Sequence, residues 1–66
     1  MNPVETELEM AQRHVRQGER HVSRQRELIA EISSRMQSTD LAEALLIDFE
    51  NCLHSHNDHL ARLISN

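Results

Sequence analysis

Apolar residues recur with a seven-residue period through almost the whole chain, and this pattern limits the fold more than any other feature. Their spacings alternate between three and four residues, and after an interruption near residue 38 the same pattern resumes. Such a heptad pattern is typical of long helices that pack side by side with interlocking side chains. The residues that follow it, which we call the seam, are Val4, Leu8, Ala11, Val15, Gly18, Val22, Gln25, Ile29, Ile32 and Met36, then Ala42, Leu46, Phe49, Leu53, His56, Leu60 and Leu63. The sequence therefore predicts an all-α fold.

The start of the first helix is marked by Asn2 and Pro3. Asparagine is a good N-cap residue, and proline fits the first helical position because its missing N–H is not needed there. We therefore predict a first helix over residues 3–36.

A second helix is predicted over residues 40–64. Either Thr39 or Asp40 can cap it, and the connection before it spans only about residues 37–39. So short a connection makes the two helices antiparallel neighbours. Residues 1–66 should thus form a single helical-hairpin domain.

The apolar face of the second helix is wider than one partner helix can cover. Beyond its seam it carries Leu45, Cys52 and His59 along one flank. A hairpin this small also has little core of its own, so we expect two copies to dimerise into a four-helix bundle. The residues predicted to form the interface are Leu45, Leu46, Phe49, Cys52, Leu53, His56, Leu60 and Leu63. Whether the assembly is a dimer or a tetramer is left open.

At every second seam position in the middle of the first helix, a small or polar residue stands where leucine would be usual. These residues are Ala11, Gly18 and Gln25. Glycine inside a helix costs about 1 kcal/mol relative to alanine. Close approach of the two helices near Gly18 would offset that cost. The alternative is a tolerated, exposed glycine.

Composition narrows the range of functions. Eleven acidic residues against seven arginines give a net charge of −4, which disfavours general binding to nucleic acid or anionic membranes. The chain shows neither a signal peptide nor a run of roughly 20 apolar residues that could span a membrane. One cysteine excludes an internal disulfide. We expect a cytoplasmic protein with a reduced thiol.

A metal site is the main chemical alternative. Cys52, His56 and His59 share one stripe of the second helix, and thiol and imidazole are zinc ligands. If the turn is centred near residues 38 and 39, Val22 faces His56 and His21 lies close to His59 as a fourth ligand. The competing interpretation is a buried apolar cysteine with hydrogen-bonded histidines and no cofactor. His14 and His54 are expected in solvent.

Arginines crowd the first helix, and a nucleic-acid-associated dimer is a third hypothesis. The chain lacks the lysine and the stacking aromatic residues that usually accompany such a site. Pairs in which an acidic residue precedes an arginine by four positions should neutralise part of the positive charge of the arginines. These pairs are Glu9/Arg13, Glu31/Arg35 and Asp58/Arg62, and the crowded arginines are Arg13, Arg16, Arg20, Arg24 and Arg26.

We do not expect an enzyme. A catalytic site needs a concave pocket with converging reactive groups, and this chain has no phosphate-binding glycine loop, metalloprotease histidine pair or serine elbow.

Residues 20–63 resemble short uncharacterised helical proteins from alphaproteobacteria. The similarity is carried by the segments 20–29, 39–46 and 53–63, with His21, Gln25, His56 and His59 at matching positions. In size and hairpin design the chain is also similar to the dimeric RNA-binding proteins that control plasmid copy number, without their exposed basic and aromatic residues. The first resemblance implies a bacterial helical hairpin and no particular activity.

Together these patterns favour a homodimeric helical bundle that acts as a protein-interaction or regulatory module. Its expected partners are a second copy of itself and an unidentified protein.

Overall fold

The computed structural model describes residues 5–65, and this part of the chain contains two helices and no strand. Helix α1 spans Glu7–Ser34 and helix α2 spans Asp40–Ser65. The limits of α2 agree with the prediction to one residue. The predicted all-α hairpin is thus confirmed over the described residues.

The two helices run antiparallel. Gly18 of α1 lies against Leu53 of α2, and His21, about one turn further along α1, lies against Phe49, about one turn back along α2. Contacts therefore move in opposite directions along the two chain segments.

Helix α1 begins later than predicted because a different residue caps it. The Glu9 backbone N–H donates to Thr6 Oγ1 (3.1 Å), and the Thr6 N–H donates to Glu9 Oε1 (3.2 Å). This reciprocal capping box satisfies two backbone donors that would otherwise lack a partner. The helix therefore starts at Glu7, later than predicted. The predicted cap at Asn2 lies outside the described residues.

Helix α1 ends in a Schellman motif with an unusual residue at its centre. The Met36 N–H donates to the Ser33 carbonyl (3.0 Å) and the Gln37 N–H to the Ile32 carbonyl (3.3 Å). Met36 adopts a left-handed conformation with φ 58, the position that glycine usually occupies. The residue is 95% exposed. The prediction that Met36 belongs to the helix and the seam is therefore wrong.

The alignment of the helices differs from the predicted one. His56 was expected opposite Val22, but its ring lies against His14, eight residues earlier in α1. The difference amounts to about 12 Å along the helix axis. Because α1 ends at Ser34, the chain reverses direction earlier than predicted. Each residue of α2 therefore lies opposite an earlier residue of α1 than expected.

Close helix approach at Gly18 is confirmed. A Cβ atom added to Gly18 would lie 3.1 Å from Leu53 Cδ1 and 3.6 Å from Leu53 Cα. Contacts nearer than about 3.4 Å leave little room for a larger residue. The missing side chain thus lets Leu53 pack directly on the α1 backbone.

Gln25 is the one polar residue buried among those described, with 5% of its surface exposed. Its Nε2 donates a 2.8 Å hydrogen bond to the Ala42 carbonyl in the first turn of α2. Since a buried amide needs a partner, this bond explains a glutamine at a seam position.

The described hairpin is one layer thick. The molecule measures 47 × 22 × 13 Å, and its thinnest dimension is close to the roughly 10–12 Å diameter of a single helix. The buried residues, Ala11, Val22 and Gln25, all belong to α1. In α2 the seam residues and His59 are half-buried and every other described residue is exposed. Each helix therefore has neighbours on one side only.

Candidate interaction surfaces

One face of the hairpin carries imidazole and aliphatic side chains at seven-residue spacing on both helices. Glu7 lies seven residues before His14 and thus continues the row on α1. The Glu7 Oε1 lies 3.5 Å from the Nε2 of His59 on α2. The row on α1 and the row on α2 that contains His59 therefore lie on the same side of the hairpin. We call this surface the histidine face, and its residues are His14, His21, Leu28, Leu45, Cys52 and His59.

Two ring contacts cross between the helices beside this face. The rings of His14 and His56 have centres 5.1 Å apart, with their planes inclined by 45°. The rings of His21 and Phe49 have centres 5.5 Å apart, with planes at 37°. Gly18 lies between these two contacts in α1 and brings the backbones close enough for the flanking rings to meet.

The residues predicted to bind a metal are not brought together. His21 lies against Phe49 rather than His59, while His59 lies near Glu7 and Cys52 is exposed. Within residues 5–65, no group of three or more His, Cys, Asp and Glu side chains is arranged to hold a metal ion. The fourth ligand depended on the predicted alignment, which the structure replaces.

The predicted interface residues divide into two groups. Leu45 is 44% exposed and Cys52 is also exposed, both on the histidine face. Leu28, across the hairpin from them on α1, is 43% exposed. The remaining predicted residues are half-buried in the seam: Leu46, Phe49, Leu53, His56, Leu60 and Leu63.

The opposite side of the hairpin is polar, and we call it the charged face. A shallow groove of about 430 Å³ runs between the helices there. The Arg26 Nη2 lies 3.1 Å from Glu50 Oε2 across it. The groove residues are Glu19, Val22, Ser23, Arg26, Glu50, Leu53, His54 and Asn57. Exposed ion pairs of this kind add little stability.

Arg13 forms its ion pair with a residue outside the helix. Its Nε and Nη2 donate to Glu5 Oε2 (3.1 Å) and Oε1 (3.0 Å), and these hydrogen bonds lower the pKa of the Glu5 carboxyl. The predicted pair with Glu9 is not formed, because Glu9 completes the capping box at Thr6.

The other two predicted pairs have different outcomes. The Glu31/Arg35 pair is confirmed at 2.9 Å. Asp58 lies 3.4 Å from His54 instead of pairing with Arg62.

Three arginines of the predicted stripe project from α1 into solvent. No carboxylate among the described residues lies within 4.0 Å of them. They are Arg16, Arg20 and Arg24. The stripe is thus shorter than predicted, because Arg13 and Arg26 have carboxylate partners.

His14 is the residue that sequence reasoning missed. It was expected in solvent, but it is half-buried against His56. The signal available was its spacing, since Glu7, His14, His21 and Leu28 follow one another at seven residues. A second heptad row beside the seam identifies side chains that flank the contact between helices.

Comparisons with known proteins found no match to a protein family, a curated protein or a solved structure. In the described part of the chain, neither helix has a stretch long and apolar enough to cross a membrane.

Proposed function

We propose that this chain acts as a small protein-interaction or regulatory module whose working form is a homodimer. In that dimer two hairpins pack through their histidine faces and form a four-helix bundle. The observation that carries the proposal is that α2 has a broad apolar face and no buried residue.

The hairpin is more extended than a compact domain of the same length. Its radius of gyration is 15.1 Å, whereas a compact domain of 66 residues would have about 11 Å. Domains are usually built from at least two packed layers around one core. The extended shape therefore supports the proposal that a second layer packs on this one.

The exposed area supports a second copy as that layer. The chain exposes 5227 Å², about 900 Å² more than a compact monomer of its mass. A standard protein interface buries about 800 Å² on each partner. One face of the hairpin, 47 Å long and 22 Å wide, is large enough to bury this area. Two identical apolar faces can also pack on each other about a two-fold axis.

The two faces differ in how they suit such a contact. The histidine face presents Leu28 and Leu45 near the turn and Cys52 at mid-length, and the contact of Glu7 with His59 lies at the opposite end. The charged face carries Glu19, Arg26 and Glu50, which favour solvent. Pairing through the histidine face therefore leaves the charged face and the α1 arginines open to another protein.

Sedimentation of matched variants tests the proposal. Leu45→Glu places a charge among the exposed apolar residues of the histidine face and should convert a micromolar dimer to monomers, because an unpaired carboxylate is costly to bury. Ile47→Glu makes a similar change on the same helix, at an exposed position away from that face, and should leave the dimer intact.

The melting temperature gives a second readout that does not depend on the variants. The unfolding of a dimer shifts to higher temperature as the protein concentration rises, whereas that of a monomer does not. A wild-type chain that sediments as a folded monomer with a concentration-independent melt would contradict the proposal. Equal weakening by both glutamate variants would also contradict the assignment of the face.

A further inference from the structure

We infer that His14 and His56 form a two-imidazole binding site for one divalent transition-metal ion of the zinc type. The site joins α1 to α2 within one hairpin, and it stands whether or not two hairpins associate. It differs from the Cys52, His56, His59 and His21 set predicted from the sequence.

The separation of the two rings matches a metal chelate. A zinc–nitrogen bond of about 2.0–2.1 Å, continued by about 1.1 Å to the ring centre, places each imidazole centre about 3.2 Å from the ion. Two such rings at the tetrahedral angle then have centres about 5 Å apart. The centres of the His14 and His56 rings are 5.1 Å apart. The two ring centres therefore lie at the separation that one ion bound by both residues requires.

The two rings are also held in place and not engaged by carboxylates. Both residues are half-buried, on helices fixed together by the Gly18 and Leu53 contact. The histidine–carboxylate contacts in the described chain involve other residues, His54 with Asp58 and His59 with Glu7. Within residues 5–65, no carboxylate lies within 4.0 Å of a ring nitrogen of His14 or His56.

The ligand class follows from the donor atoms. Neutral imidazole binds zinc, copper and nickel in preference to magnesium or calcium, which take oxygen ligands. One chain offers no third His, Cys, Asp or Glu ligand within residues 5–65. The remaining positions on the ion are thus open to water or to a second molecule.

Zinc titration of an untagged chain tests the site. The measurement uses isothermal calorimetry at about pH 7.5, where imidazole is mainly neutral, in a Cys52→Ser background that removes the exposed thiol. His14→Ala and His56→Ala should each weaken zinc binding at least tenfold. His21→Ala and His59→Ala remove neighbouring imidazoles and should change it less than threefold.

Three further measurements keep the result independent of folding. His14→Gln and His56→Gln retain a polar side chain of similar size, and their helicity without metal is checked by circular dichroism. Zinc should raise the melting temperature of the parent chain but not of these variants, because ligand binding stabilises only a folded state that holds the site. In NMR spectra the ring protons of His14 and His56 should shift first during the titration.

Several outcomes would overturn the inference. If His14→Ala leaves the zinc affinity unchanged, the proposed site is wrong. Loss of binding in His59→Ala or in the Cys52→Ser background would assign the metal to the stripe on α2 instead. Equal weakening by all four alanine variants would show diffuse binding to surface histidines.

Discussion

The two helices contribute to the hairpin in opposite ways. The buried residues, Ala11, Val22 and Gln25, all lie in α1, while α2 is the more apolar helix and has none. A narrow apolar row fits entirely beneath a broad one, whereas a broad row cannot be covered by a narrow one. Burial in a single layer of helices thus depends on the width of the neighbour's apolar face. The helix with more apolar surface is the one left exposed.

This difference predicts different consequences for substitutions in the two helices. Changes in the seam of α1 should lower the stability of the hairpin itself. Changes on the exposed flank of α2, such as Leu45→Glu, should act on association. Each of the following substitutions tests one part of that division, and unfolding is compared at one fixed protein concentration because stability and assembly are coupled.

Gln25→Glu should have the largest effect on the hairpin. The substitution keeps the size of the side chain but replaces the amide donor with a carboxylate oxygen that faces the Ala42 carbonyl. An unpaired charge would then be buried beside another acceptor, and we expect the free energy of unfolding to fall by about 2–3 kcal/mol. Urea denaturation near neutral pH measures this loss.

Gln12→Glu is the matched control for this prediction, because Gln12 is an exposed residue of the same helix. It should change the free energy of unfolding by less than about 0.5 kcal/mol. If both variants lower the free energy of unfolding by the same amount, the Gln25 hydrogen bond does not stabilise the packing of the two helices.

The sequence predicted the helices better than their alignment. The heptad pattern and the signals at Thr39 and Asp40 were enough to place α2, because an amphipathic helix is encoded locally. The close approach at Gly18 was also predicted. The position of the turn was not predicted, because methionine seldom adopts the left-handed conformation that Met36 has.

The site predictions depended on that turn. An error of eight residues in alignment placed Val22 opposite His56, where the structure has His14. Contacts between helices are set by how the chain reverses, and spacing within one helix carries no information on it. The α1 residue that lies against His56 was therefore predicted incorrectly.

Gly18→Leu should have the next largest effect. A Cβ atom at this position would already lie 3.1 Å from Leu53 Cδ1, so a full leucine side chain must push the helices apart. We expect a loss of about 2 kcal/mol, typical of overpacking. Leu53→Ala in the same chain removes the obstructing side chain and should restore part of the stability, which a double-mutant cycle measures.

Gly18→Ala is the informative control. Alanine gains about 1 kcal/mol in helix propensity over glycine, and its one tight contact is with the flexible end of Leu53. The two effects should nearly cancel. Stabilisation by Gly18→Leu would show that the helices are not in close contact at this point.

Met36→Gly should have the smallest effect, and it is the one that increases stability. Met36 has φ 58 and an almost fully exposed side chain, so replacing it removes backbone strain without removing a packing contact. A left-handed conformation costs an ordinary residue about 1 kcal/mol, and glycine avoids that cost. Thermal and urea denaturation should both show a gain of this size. Met36→Ala removes the same side chain but retains a Cβ atom, and it should show no such gain. Equal gains from the glycine and alanine variants would mean that the methionine side chain, rather than the backbone at the end of α1, is the source of the strain.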